Sequence, residues 1–195
     1  MWQYLYLILF LISLLFSLIL TYLFGKIAKK SGIISLPSER KIHKIPTPLL
    51  GGLGMFCSFF LVIASGIIFL NAGFVPEFIK EYIEGIYSVF PKLLVIILGG
   101  IIVIFFGLLD DIYELKPFQK LFFQILTATI IFISGIRITF FISNIFLSYI
   151  ITTAWFILMM NCFNLLDNMD GLSAGVAFIT GMILFSFAFE MEQLF

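Results

Sequence analysis

Apolar stretches long enough to cross a bilayer alternate along this chain with short polar clusters. They occupy residues 2–24, 50–70, 93–109, 118–135, 144–166 and 172–189. A spanning helix needs about 20 mostly apolar residues, so the pattern predicts an all-α integral membrane fold with six transmembrane helices. The third run is the shortest and starts at the break Pro91-Lys92. Before it, Phe74, Phe78, Tyr82, Ile86 and Phe90 recur every four positions, with Glu77, Lys80, Glu81 and Glu84 between them. Pro76 suits a helix's first turn, and the spacing predicts an amphipathic helix lying in the outer interface over 74–90. Segment 136–141 is β-branched and aromatic, which predicts extended chain.

Composition agrees with the pattern. Hydrophobic residues fill 62% of the 195 positions and charged residues 11%, and mean hydropathy is +1.20. An ordinary soluble domain is about a quarter charged. So few charges cannot keep a water-facing surface soluble, whereas a bilayer solvates apolar faces directly. Membrane lipid is therefore an expected partner and nucleic acid is not. Cys57 and Cys162 lie in apolar runs without a CxxC or His neighbour and read as small buried hydrophobes. No basic residue precedes the first apolar run. That run also exceeds the roughly 7–15 residues of a cleavable signal, so it reads as a retained helix.

The net charge of zero says little, but the placement of the charges sets orientation. Lys26, Lys29, Lys30, Arg40, Lys41 and Lys44 lie between the first two runs, and Lys116 and Lys120 between the third and fourth. The opposite side holds Lys80, Lys92 and Arg137. The positive-inside rule puts the two basic segments in the cytoplasm and the N-terminus outside. The connection around Asp167 then falls in the cytoplasm as well.

Three cytoplasmic connections carry most of the polar chemistry. The first runs Arg40-Lys41-Ile42-His43-Lys44-Ile45-Pro46-Thr47-Pro48-Leu49-Leu50-Gly51-Gly52. Its cations suit phosphate oxygens, and glycines let backbone approach a ligand. The bland alternative is a basic loop resting on anionic lipid head groups. The second is Gly107-Leu108-Leu109-Asp110-Asp111-Ile112-Tyr113-Glu114, followed by Lys116, Lys120 and Gln124. Adjacent carboxylates at the end of an apolar helix repel unless a cation relieves them, and a hard ion such as Mg²⁺ does so with oxygen ligands. Lys116 and Lys120 would share a face after Pro117 and neutralise either the carboxylates or a phosphate. A solvated, Asp-capped helix end is the alternative. The third is Asn161-Cys162-Phe163-Asn164-Leu165-Leu166-Asp167-Asn168-Met169-Asp170-Gly171-Leu172. Asn161, Asn164, Asp167 and Asp170 repeat every three residues, along one helical side or the mouth of a broken helix. Such polar groups in a membrane chain face protein or a polar cavity. Taken together, the residues describe a cytoplasm-facing site with four Asp, several cations, one His and a divalent metal. Its substrate would be an anionic phosphate compound reached from both water and lipid.

These motifs resemble the polyprenyl-phosphate N-acetylhexosamine-1-phosphate transferase family, glycosyltransferase family 4. RKIHKIPTPLLGG looks like its first cytoplasmic loop, GLLDDIYELKPFQKLFFQ like its Asp-Asp loop and NCFNLLDNMDGLSAG like its Asn-and-Asp loop. The likeness covers the chain from about Gly32 onward, in order and on one predicted side. It implies transfer of a sugar-1-phosphate from a UDP-N-acetylaminosugar to undecaprenyl phosphate. UMP is released, Mg²⁺ or Mn²⁺ is the cofactor, and a lipid-linked cell-envelope glycan is begun. By the resemblance, Asp110 and Asp111 match the paired carboxylates, with Asp110 the base that readies the lipid phosphate. Asp167 and Asp170 match the nucleotide-side pair, Asn164 its neighbouring amide and Lys120 the basic position after the Asp pair. Arg40, Lys41, His43, Lys44, Gly51, Gly52, Asn161 and Asn164 are then substrate-binding candidates, and Asp110, Asp111 and Asp170 metal ligands. Arg40-Lys41-x-His43 looks more like the N-acetylglucosamine branch than the muramoyl-pentapeptide branch. The setting implied is a bacterial inner membrane, with a multi-pass chain, a cytoplasmic active site and a possible homodimer.

Two departures qualify the likeness. Ser35 stands where many members have Asp, and the later cytoplasmic loops of longer members, one of them His-rich, do not follow here. The expectation is a single polytopic domain over 1–195, incomplete at its C-terminus, that inserts but transfers little by itself. The competing readings are an inactive fragment of the family and a cation-coupled transporter. Transporter acids would lie near the bilayer midplane in paired halves, and no half-repeat is visible in this sequence.

Overall fold

The computed structural model describes residues 2–35, 45–73, 75–80, 82–139, 143–167, 169 and 171–192. Seven helices and one two-residue strand pair follow in order: α1 (Trp2–Ser31), β1 (Ile34–Ser35), β2 (Thr47–Pro48), α2 (Gly51–Asn71), α3 (Glu77–Lys80), α4 (Ile83–Tyr113), α5 (Pro117–Ile133), α6 (Ile145–Leu166) and α7 (Leu172–Glu192). Helices α1, α2, α4 and α6 are long and apolar enough to cross a membrane, while α5 and Leu172–Phe187 of α7 are shorter apolar helices. The six apolar runs thus appear as six apolar helices, an all-α membrane architecture.

Small residues let the helices meet. Ser13, Ser17, Thr21 and Gly25 step by four along α1, and Gly54 and Ser58, also one turn apart, are buried on α2. Gly54 sits directly on the α1 backbone, where a Cβ would come within 2.8 Å of Thr21 Cα. Lipid tails are as apolar as leucine, so helices in a bilayer associate through this close packing of small side chains. Helix α2 meets α4 where the Phe56 ring covers Gly100, and α4 meets α5 where Gly99 receives the Ile131 side chain. The Phe106 and Phe123 rings stack between α4 and α5 at 3.2 Å between centroids. Tyr149 joins α6 to α5, its hydroxyl 2.9 Å from Thr129 Oγ1 and its ring edge-on to Phe132. Tyr6 of α1 meets Phe185 of α7 edge-on. Most large apolar side chains point outward, the arrangement a lipid solvent permits.

The segment predicted as extended is non-helical over 136–139, and 140 and 141 lie outside the described residues. Two buried hydroxyls on α6 hold it. Ile138 N–H donates to Thr152 Oγ1 at 3.0 Å, and Ser148 Oγ donates to the Ile138 carbonyl at 2.6 Å.

Three expectations need correction. Pro91 does not start the third span, because α4 runs unbroken from Ile83 through it to Tyr113. Proline removes one backbone donor, and continuing the helix keeps the neighbouring groups paired where no water can replace them. For the same reason the interfacial helix over 74–90 is absent as one unit. A single turn, α3, is followed at Ile83 by α4 itself, with Phe74 and Glu81 outside the described residues. Cys57 and Cys162 are free thiols and only half-buried, since this thin bundle leaves lipid-facing sides on every helix. Helix α1 also extends beyond residue 24 to Ser31, carrying Lys29 and Lys30 in its last turn, where cations complement the helix dipole.

Candidate active site

The connection from α4 to α5 positions the second motif. Glu114 ends α4 in the left-handed region (φ 49°, ψ 69°), its N–H donating to the Asp110 carbonyl at 2.8 Å. Pro117 opens α5, its missing N–H harmless at a helix start, and Lys116 N–H donates to Gln119 Oε1 at 2.8 Å. The chain reverses within residues 114–116. That reversal lays the last turn of α4 against the first turn of α5, and Lys120 Nζ lies 2.6 Å from Asp110 Oδ2. The other carboxylate oxygen, Oδ1, accepts from Leu115 N–H at 3.0 Å. Asp110 is thus fixed from two directions with its side chain 27% exposed, beside a Lys120 side chain that is 40% exposed. Asp111 is exposed.

One turn along α5, Gln124 reaches the third motif. Asn161 Nδ2 donates to Gln124 Oε1 at 3.1 Å and to the Ile157 carbonyl of its own helix at 2.8 Å. Asn164 and Asp167 are exposed. Asp167 caps α6, its N–H donating to the Phe163 carbonyl at 3.1 Å, and Gly171 (φ 77°) turns the chain into α7. Because α4, α5 and α6 alternate in direction, the end of α4, the start of α5 and the end of α6 meet at one end of the bundle.

Of the first motif, the described residues are those from Ile45 onward, which form a strand pair with the end of the α1 connection and then open α2. Ile34 pairs with Pro48 and Ser35 with Thr47, antiparallel, and α2 then begins at Gly51 and Gly52, beside which a Cβ would meet nothing within 4 Å. Arg40, Lys41, His43 and Lys44 lie outside the described residues, as does Asp170. Of the sequence-predicted residues, then, the structure joins Asp110 to Lys120 and brings Asn161 to the same helix as Lys120. Lys116 is the N-cap of α5, and the ion pair to Asp110 comes from Lys120. Gln124 gains a cross-helix role that sequence position alone does not assign, although its one-turn spacing from Lys120 is visible in the sequence.

The donor chemistry suits a hard divalent cation. Carboxylate oxygens are what Mg²⁺ takes, usually one or two of them with water and substrate phosphates completing the shell. Among the described residues no group of three His, Cys, Asp or Glu gathers, but a carboxylate offers about four lone-pair positions. The bonds from Lys120 and Leu115 therefore leave Asp110 able to ligate.

Comparison with known proteins decides the family. The sequence profile described as glycosyl transferase family 4 matches residues 93–194, a stretch that includes both the Asp-Asp and the Asn-and-Asp motifs. The chain belongs to glycosyl transferase family 4. A relative from Bacillus subtilis, named probable undecaprenyl-phosphate N-acetylglucosaminyl 1-phosphate transferase, is 32% identical over 178 residues, covering 87% of this chain and 44% of the relative. The decaprenyl-phosphate N-acetylglucosaminephosphotransferase of Mycobacterium tuberculosis is 30% identical over 174 residues, 83% of this chain and 40% of the relative. An undecaprenyl-phosphate alpha-N-acetylglucosaminyl 1-phosphate transferase from Thermotoga maritima is 25% identical over 168 residues, 86% of this chain and 48% of the relative. This family 4 chain thus spans less than half the length of each of these three relatives. No solved structure matches it.

Proposed function

We propose that this chain carries the cytoplasmic site of an enzyme that moves a sugar-1-phosphate, N-acetylglucosamine-1-phosphate, from its UDP donor to undecaprenyl phosphate. UMP leaves, and the product begins a lipid-linked cell-envelope glycan in a bacterial cell membrane. The observation that carries the reading is the Asp110–Lys120 pair at the end of the bundle where the Asn161 helix also ends, in a chain of glycosyl transferase family 4.

In the reaction an oxygen of the lipid phosphate attacks the sugar-bearing phosphorus, and the bond from that phosphorus to the UMP oxygen breaks. Both substrates are anions, so their approach is unfavourable until positive charge is fixed between them. Lys120 has three donors and can keep Asp110 while donating to a phosphate oxygen. Arg40, Lys41 and Lys44 supply further positive charge from the first loop, His43 adds a ring N–H donor, and Gly51 and Gly52 leave room for a phosphate beside the α2 backbone. Asp110, acting as base, takes the proton of a protonated lipid phosphate. Asn164, Asp167 and Asp170 face the nucleotide. Mg²⁺, replaceable by Mn²⁺, would be held by Asp110, Asp111 and Asp170, and when bound it would screen the donor's diphosphate. A transporter reading fits less well, because Asp110 lies in the last turn of α4 and Asp167 caps α6, at the helix ends rather than midway along them.

The test is a chimera in which this chain replaces the matching segment of the Bacillus subtilis relative. Asp110→Asn, Asp111→Asn and Asp170→Asn should each lower sugar-phosphate transfer by orders of magnitude while membrane expression persists. Near-normal transfer by all three variants would remove these carboxylates from the mechanism.

A further inference from the structure

The side chain of α5 that joins the two halves of the site is one the mechanism above does not use. Lys120 and Gln124 are one helical turn apart and share a side of α5. Lys120 holds Asp110 of α4 at 2.6 Å, and Gln124 accepts from Asn161 of α6 at 3.1 Å. A single helical side therefore grips the Asp-bearing helix with its first turn and the Asn-bearing helix with its second.

We propose that Gln124 is a positioning residue: it sets the end of α6, and with it Asn164 and Asp167, in register with the Asp110–Lys120 pair. Asn161 commits both of its amide hydrogens, one to Gln124 and one to the Ile157 carbonyl within its own helix. Its side chain is thereby locked to the helix it rides on, so a pull on the amide moves the α6 backbone rather than a loose rotamer. Asn164 and Asp167 follow at three-residue steps on the last turns of that helix and move with it. The Thr129–Tyr149 bond pins α6 to α5 nearer the opposite end of the pair, and the amide pair fixes the axial position of the turns that carry Asn164 and Asp167. The register is a property of the chain; its value for sugar-phosphate transfer rests on the function proposed above.

Hydrogen–deuterium exchange of the whole chain in nanodiscs tests the register without requiring turnover. Gln124→Leu should speed exchange over residues 163–167 about three- to fifteenfold, the range of an interhelical polar bond in a membrane expressed as an opening ratio. Residues 145–156 should keep their protection. Gln124→Glu, which retains the acceptor oxygen, should restore slow exchange. Asn161→Leu should match Gln124→Leu, and the double variant should be no faster than the faster single one. In the chimera, Gln124→Leu should lower kcat/KM for the nucleotide donor by a comparable factor with KM for the lipid phosphate unchanged, and Gln124→Glu should recover it. Unchanged exchange in Gln124→Leu, additive effects in the double variant, or loosening spread along all of α6 would each overturn the proposal. A register intact by exchange in a chimera that never turns over would leave the tether standing and count against the transfer reading instead.

Discussion

Lys120 Nζ lies 2.6 Å from Asp110 Oδ2, latching the first turn of α5 to the last turn of α4 across a three-residue connection. Both side chains keep contact with solvent, and exposed ion pairs contribute only about 0–1 kcal/mol to stability. So small a term points to organisation of charge rather than to folding. Lys120→Met should therefore lower transfer in the chimera by at least about tenfold, on the order of one lost transition-state contact, with thermal unfolding in detergent nearly unmoved. Lys120→Arg should retain much of the activity. A Lys120→Met protein that unfolds, or that transfers normally, contradicts the assignment.

The α1–α2 seam makes a prediction about stability alone. A Cβ at Gly54 would lie 2.8 Å from Thr21 Cα, whereas one at Gly66 would meet nothing within 4 Å. Backbone cannot step aside as a side chain can, and overpacking costs about 1–3 kcal/mol. Gly54→Ala should lower the unfolding midpoint clearly. Gly66→Ala should be neutral or stabilising, since alanine is the better helix former. Equal midpoints for the two variants would mean that the seam is not packed as described.

The hydroxyl clamp on the 136–139 segment should be comparably sensitive. Thr152 is 1% exposed and receives the Ile138 N–H at 3.0 Å. Thr152→Val keeps the shape and leaves that donor without its acceptor, a loss of about 1–3 kcal/mol. Thr152→Ser restores the oxygen and should recover most of the stability. Denaturation in detergent checks both, and a Thr152→Val protein as stable as the parent would rule the clamp out.

Orientation can be tested in intact cells. Single cysteines at positions 41, 110 and 167, in a background lacking Cys57 and Cys162, should resist an impermeant external thiol reagent and label after permeabilisation. External labelling at position 41 would invert the topology.

The apolar helices were legible because a bilayer imposes one length and one polarity on whatever crosses it. Lys120 was legible as a cation for either the Asp pair or a phosphate, but which of these it takes was not, and the structure gives it Asp110. What the sequence hides is cross-helix. Gln124 meets Asn161 across 37 positions, and nothing local distinguishes that glutamine from one facing lipid head groups. Ser148 and Thr152 sit in a run that reads as a membrane span, yet they bind backbone from a neighbouring segment. Pro91 misled for the opposite reason, since a local helix-breaking rule loses to the cost of unpaired backbone in lipid. The cations of the first loop and Asp170 fall outside the described residues, so their places rest on motif and family.

If these helix ends handle two phosphate substrates at once, as proposed, release of the nucleotide product is coupled to the lipid acceptor. The most direct measurement is UMP release from UDP-N-acetylglucosamine by the purified chimera in nanodiscs, with undecaprenyl phosphate and Mg²⁺, scored together with the lipid product. Equimolar UMP and lipid-linked sugar diphosphate should form, dependent on the lipid, abolished by chelation and lost in Asp110→Asn. A folded, membrane-inserted chimera that releases no UMP, or releases it without the lipid acceptor or in the Asp110→Asn variant, would contradict it.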